Sequence, residues 1–160
     1  VGIIAYSIGD HLKLSDKEKE ELLIAVYMHD LGKAIISHEY LEREDKLTTA
    51  EHNDFKKYPS ESVRIMKTLG YESESLLNMV EYHRELFNGS GYPTGMIGES
   101  IPLGARILSI ADAFDTMTSK RLHAETWEYK SALREIQKDA DNGLYDLNCV
   151  SALKELFDVT

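Results

Sequence analysis

Between Pro102 and about Ser119 runs a helix-length segment that is almost wholly apolar and yet carries two carboxylates, Asp112 and Asp115. Ile107, Leu108, Ile110, Ala111, Ala113 and Phe114 leave it little polar face, so it belongs in a core and takes its aspartates there. Burying an ionised carboxylate costs several kcal/mol unless a cation or hydrogen bonds receive it. Three residues apart, the two aspartates occupy neighbouring azimuths of one helix. One of them could face water or bond a loop amide. Both together suggest a cation held between helices.

Two upstream stretches offer what such a cation needs. His29 and Asp30 are adjacent, and neighbours in a regular helix point about 100° apart, so they converge only where the helix ends or deforms. Gly32 is read as that ending. Leu76, Val80 and His83 fall at i, i+4 and i+7, which puts His83 on the buried face of its helix. Imidazole with carboxylate suits Zn, Fe, Mn or Ni rather than Mg alone. Each signal has an ordinary alternative: a buried histidine bonded to a capping aspartate, or a satisfied core histidine. Lys33 is close enough to the His–Asp pair to act as general acid or phosphate contact, its alternative being a solvated loop lysine. Arg106 and Arg121 flank the Asp-bearing helix and can receive phosphate oxygens; surface salt bridges are their default explanation.

The remaining pattern is helical throughout. Ile4, Ile8 and Leu12 mark a first helix. Ser15 with Glu18, and Thr48 with Glu51, read as capping boxes that open two more. Pro59 lies inside the second of these, where a kink or a new helical start is expected. A helix from about Ser73 reaches His83, and a glycine-rich loop over 86–101 precedes the apolar helix. Thr126 and Asp146 can cap two last helices. No alternating strand-length segment stands out. The expectation is an all-α, single-domain bundle of about six or seven helices covering residues 1–160.

A chain of 160 residues suits one core rather than two. A formal charge of −10 argues against a broad nucleic-acid surface but leaves room for one positive pocket. No apolar run approaches the roughly 18 residues of a membrane span. The single cysteine, Cys149, fits a reducing compartment, so a cytoplasmic location is expected. Val1, in place of methionine and within an apolar-periodic segment, gives the expectation of a fragment of a longer polypeptide.

Taken in order, the motifs resemble a known family. They are His29-Asp30-Leu31-Gly32-Lys33, Leu47-Thr48 with Phe55-Lys56-Lys57-Tyr58-Pro59, and His83 before Asn88-Gly89-Ser90-Gly91-Tyr92-Pro93. Ile101-Pro102-Leu103-Gly104-Ala105-Arg106 and Ile110-Ala111-Asp112-Ala113-Phe114-Asp115 complete the set. Together they look like the HD-GYP domain, a bacterial subgroup of the HD phosphohydrolase superfamily. The resemblance implies an all-α signalling output domain whose active members use two or three metal ions, commonly iron or manganese, to hydrolyse c-di-GMP. It implies His29, Asp30, His83 and Asp112 as metal ligands and Lys33, with Asp30, as catalytic. Asp115 matches a ligand of the three-metal members. Gly91, Tyr92 and Pro93 are implied in ligand binding, where Arg106 and Arg121 are expected to join them on the reading given above, and the loop is implied also in contact with a signalling partner.

The departures fall on the metal site. Tyr58 stands where active members have a histidine, and Arg84 where a second consecutive histidine follows His83. Arg121-Leu122-His123-Ala124 replaces a usual Arg-Pro-Tyr-Arg and loses an arginine that would face phosphate. Tyr58 could ligate iron as phenolate, whereas Arg84 is a permanent cation that cannot ligate. His11 is the one candidate for the first-helix histidine of simpler HD proteins. Two readings follow: a degenerate module that binds a cyclic dinucleotide, another phosphoester or a protein; or an active phosphohydrolase with one divalent transition metal (Fe, Mn, Zn or Ni). The first needs no metal at all.

Overall fold

The computed structural model describes residues 1–36, 48–120 and 126–157, and its architecture follows the capping signals. Helix α1 spans Gly2–His11 and α2 spans Asp16–Met28. At the start of α2, Ser15 Oγ accepts from the Glu18 amide and the Glu18 carboxylate accepts from the Ser15 amide, the expected reciprocal box. A short 3-10 turn, Leu31–Ala34, follows. Thr48 and Glu51 make the second box and open α3, Thr49–Phe55. The segment expected to kink or restart at Pro59 does restart: α4 runs Tyr58–Thr68 with its proline in the first turn, where no amide is needed. Ser73 caps α5, Glu74–Glu81.

A long loop with a single bridge between Asn88 and Ile97, and a 3-10 turn at Gly98–Ser100, lead to α6, Leu103–Thr118. Helices α7, Tyr129–Asp141, and α8, Leu147–Glu155, complete the chain. Asp146 caps α8 as expected, accepting from the Asn148 amide at 2.8 Å. Thr126 does not cap α7. The Trp127 amide donates to the Met117 carbonyl at 2.9 Å, which ties that segment to the end of α6, and the helix begins only after Glu128.

Helix α6 is the axis of the bundle, with α1, α2, α5, α7 and α8 packed around it. Ile107, Leu108, Ile110 and Ala111 are wholly buried, and they share one core with Ile8, Leu22, Val80, Ile136 and Leu153 of the helices packed around α6. Each such side chain contributes roughly 1.5–3 kcal/mol by leaving water. Among the described residues there is no strand, and no helix is long and apolar enough to cross a membrane.

A candidate metal and phosphoester cleft

The site forms where the turn after α2 meets the start of α4. Ser62 of α4 is fully buried; its Oγ accepts from the Gly32 amide at 2.7 Å and donates toward the His29 carbonyl at 2.8 Å. Gly32 sits so close to α4 that a Cβ there would lie 1.9 Å from the Tyr58 carbonyl oxygen. The expected role for this glycine was helix termination. Its observed role is close approach, because α2 has already ended at Met28.

His29, just past that end, and Asp30 converge as the interrupted helix allows. His29 Nδ1 donates to the Val26 carbonyl at 2.8 Å, which leaves Nε2 as the nitrogen available to a metal. Nε2 lies 3.4 Å from Asp30 Oδ1 and 3.7 Å from Asp112 Oδ1. His29 Nε2 and Asp30 Oδ1 are both buried and without a hydrogen-bond partner. His83 repeats the arrangement, donating from Nδ1 to the Val80 carbonyl at 2.7 Å. The ligating atoms of His29, Asp30 and His83 all lie within 4.8 Å of one another. Mixed nitrogen and oxygen donors with two unsatisfied buried atoms fit one transition-metal ion.

The far side of the cluster is built differently. The Tyr58 hydroxyl donates to His83 Nε2 at 2.9 Å and accepts from Arg84 Nε at 2.6 Å. Arg84 Nη2 stands 3.6 Å from Asp112 Oδ2. Lys33 Nζ donates to Asp30 Oδ2 at 2.7 Å and lies 4.9 Å from the Tyr58 ring centroid. His83 Nε2 is thus engaged by the Tyr58 hydroxyl, and the Arg84 guanidinium stands on its other side.

Charge states follow from burial and these neighbours. Burial drives His83 down to about 3, so its imidazole is neutral. For His29 burial pulls the same way, but the Asp112 and Asp30 carboxylates outweigh it and raise its pKa. Burial would raise Asp112, yet His29 and Arg84 more than offset that and carry it down to about 2. Tyr58 is pushed well above the ordinary phenol range by burial, against the pull of Arg84, and is a neutral phenol rather than a phenolate.

Asp30, Lys33, Arg84, Asp112, Thr116 and Met117 line a cleft of about 320 Å³ over this cluster. A groove of about 360 Å³ between α7 and α8, bordered by Lys130, Arg134, Lys138 and Lys154, has no histidine on its walls. The candidate metal ligands Asp30 and Asp112 border the first.

Several expected site residues lie elsewhere. Arg106 donates from Nε to the Ile101 carbonyl at 2.9 Å and from Nη1 to buried Asp146, which commits it to the joint between α6 and α8. Asp115 Oδ1 accepts from the Val1 nitrogen at 2.9 Å and stays outside the cluster. His11 lies 3.5 Å from Glu155 Oε2, and it borders a surface hollow with Arg106. Arg121 and the stretch through Ala124 lie outside the described residues.

The loop holding Gly91, Tyr92 and Pro93 stands beside the cleft, not in its lining. A Cβ on Gly91 would lie 2.2 Å from the Leu86 nitrogen, and the Tyr92 amide donates to the Arg84 carbonyl at 3.1 Å. Glu85, a residue that sequence reasoning passed over, organises it. Its carboxylate, 3% exposed, accepts from the amides of Thr94, Gly95 and Met96 and from the Thr94 hydroxyl. A lone glutamate before a glycine-rich loop was the available signal, with nothing to say which amides it would meet. Ser62 gave none.

Comparison with known proteins adds family information. The family model described as HD domain matches residues 1–149. The cyclic di-GMP phosphodiesterase response regulator RpfG of Xanthomonas campestris is 35% identical over 94% of this chain and 40% of its own length. The 3'3'-cGAMP-specific phosphodiesterase 3 of Vibrio cholerae is 29% identical over 97% of this chain and 33% of its own. The chain therefore spans less than half of either relative. The crystal structure of a V. cholerae cyclic GMP-AMP phosphodiesterase, V-cGAP3, superposes with a TM-score of 0.77 at 20% identity, over 98% of this chain and 42% of that one. At that identity the likeness speaks for the helical fold.

Proposed function

The chain belongs to the HD-domain family, and from that premise we propose that it is an HD-GYP-like signalling output domain that binds a phosphoester but hydrolyses it poorly or not at all. The observation that carries this is the Arg84–Tyr58–His83 chain of hydrogen bonds. Two-metal phosphoester cleavage holds the phosphate between two ions, which stabilise the attacking and the leaving oxygen. The neutral phenol and the guanidinium beside His83 support room for one ion rather than two.

The remaining groups suit binding. Lys33 and Arg84 face the cleft with cations fit for phosphate oxygens. His29, Asp30 and Asp112 would hold one divalent transition metal, with His83 joining them if Tyr58 gives way. When bound, that ion supplies Lewis-acid polarisation of a phosphoryl oxygen. A cyclic dinucleotide is the ligand suggested by the names of the relatives. Exposed Pro93 leaves the loop open to a signalling partner, and the domain would work in the cytoplasm.

A second reading, an active one-metal phosphohydrolase, is favoured by the unsatisfied pair His29 Nε2 and Asp30 Oδ1. Elemental analysis of protein prepared under low oxygen, paired with a c-di-GMP hydrolysis assay, separates the two. The proposal expects at most one metal per chain and c-di-GMP bound without enzyme-like turnover. Two metals per chain with rapid turnover overturn it. One metal with turnover, both lost in His83→Ala, establishes the second reading.

A further inference from the structure

We infer that Arg84 is an exchangeable cation, competing with a metal ion for Asp112, so that a divalent cation and a phosphate group bind this cleft cooperatively through it. The inference rests on reading the cleft as a phosphoester site. As the cleft stands, its charges cancel in pairs: Lys33 against Asp30 at 2.7 Å and Arg84 against Asp112 at 3.6 Å. An anion approaching a chain of net charge −10 meets no net positive field there.

The two contacts of Arg84 are unequal. Nε bonds the Tyr58 hydroxyl at 2.6 Å, whereas Nη2 lies beyond hydrogen-bond range of Asp112. The terminal nitrogens can therefore leave Asp112 while Nε stays anchored. Asp112 has another attraction within reach, since its Oδ1 lies 3.7 Å from the unpartnered Nε2 of His29, whose side chain is only 8% exposed, itself beside unpartnered Asp30 Oδ1. A cation satisfying that buried pair draws on the Asp112 charge as well. Arg84 is then left with its charge unopposed, its side chain 35% exposed at the cleft, and its planar fork matched to two phosphate oxygens. Linkage requires the converse: phosphate that takes Arg84 away leaves Asp112 free for the metal.

The test is isothermal titration of the chain with Mn²⁺, and of the metal-free and Mn²⁺-loaded chain with inorganic phosphate, for wild type, Arg84→Met and Arg84→Gln. Arg84→Gln keeps a donor for Tyr58, so it decides the matter if Arg84→Met fails to fold. Wild type is expected to bind phosphate about tenfold or more tightly once loaded. Both variants should lose most of that gain, to about threefold or less, while binding Mn²⁺ alone more tightly than wild type. Variants that keep the full gain, or that bind Mn²⁺ no better, overturn the inference and leave the binding-module reading standing. Phosphate that binds wild type in neither state overturns that reading itself.

Discussion

Lowering the pH should destabilise this protein through one imidazole. His83 is fully buried, and its pKa falls from an ordinary 6.5 to about 3. The unfolded chain therefore takes up a proton below 6.5 that the folded chain refuses until near 3, so stability present above 6.5 is lost as the pH falls through that window. The limiting slope is about 1.4 kcal/mol per pH unit. From about pH 6 to about pH 4.5 the loss comes to about 2 kcal/mol. His29 does not disturb this window. Its folded pKa is raised, so its contribution is complete below 6.5 and is lost only as the pH rises through the folded value. Asp112, lowered from 3.8 to about 2, holds its contribution above 3.8 and loses it only at lower pH. Urea unfolding in the presence of a chelator, at a series of pH values, measures the slope for wild type and for His83→Gln. The variant should be less stable throughout but flatter across the window. Identical slopes would refute the claim that the buried imidazole is held neutral.

Three substitutions probe the scaffold around the site. Gly32→Ala puts a Cβ 1.9 Å from the Tyr58 carbonyl and 2.7 Å from the Ser62 nitrogen, both backbone atoms, and should lower unfolding free energy by about 3 kcal/mol in urea titrations. Glu85→Ala strips the acceptor from the Thr94, Gly95 and Met96 amides; about 2 kcal/mol should be lost, with hydrogen exchange accelerated at those amides and unchanged in α6. Arg106→Ala leaves Asp146, 4% exposed, as an uncompensated carboxylate and should cost about 3 kcal/mol by thermal denaturation, more than Arg106→Ala combined with Asp146→Asn.

What could be read from the chain was set by local rules. The two capping boxes and the restart at Pro59 involve partners within four residues, and each appears where expected. Asp112 is buried on α6 as helical periodicity required, and His83 is buried too, although α5 ends at Glu81 and the histidine sits in the turn beyond it rather than on the expected helix. Asp115 shows where such reasoning stops. A three-residue step leaves it about 60° from Asp112 around the axis, enough to take it from the cluster to a side chain 33% exposed. Arg106 was read as a phosphate contact because its partner Asp146 lies 40 residues on, and no local pattern joins them. Ser62 was invisible for the same reason: its acceptor is a carbonyl 33 residues earlier. Tyr58 and Arg84 were suspect one by one, whereas their bond to each other exists only in three dimensions.

That bond makes the two positions interdependent in sequence space. The Tyr58 hydroxyl serves His83 and Arg84 at once. Replacing tyrosine alone leaves Arg84 without its acceptor and His83 Nε2 without its donor; replacing arginine alone leaves the hydroxyl still covering the imidazole. Neither single step exposes a working second metal position, and each passes through a less satisfied core. A double substitution is the shortest route to one, and its effects should be strongly non-additive.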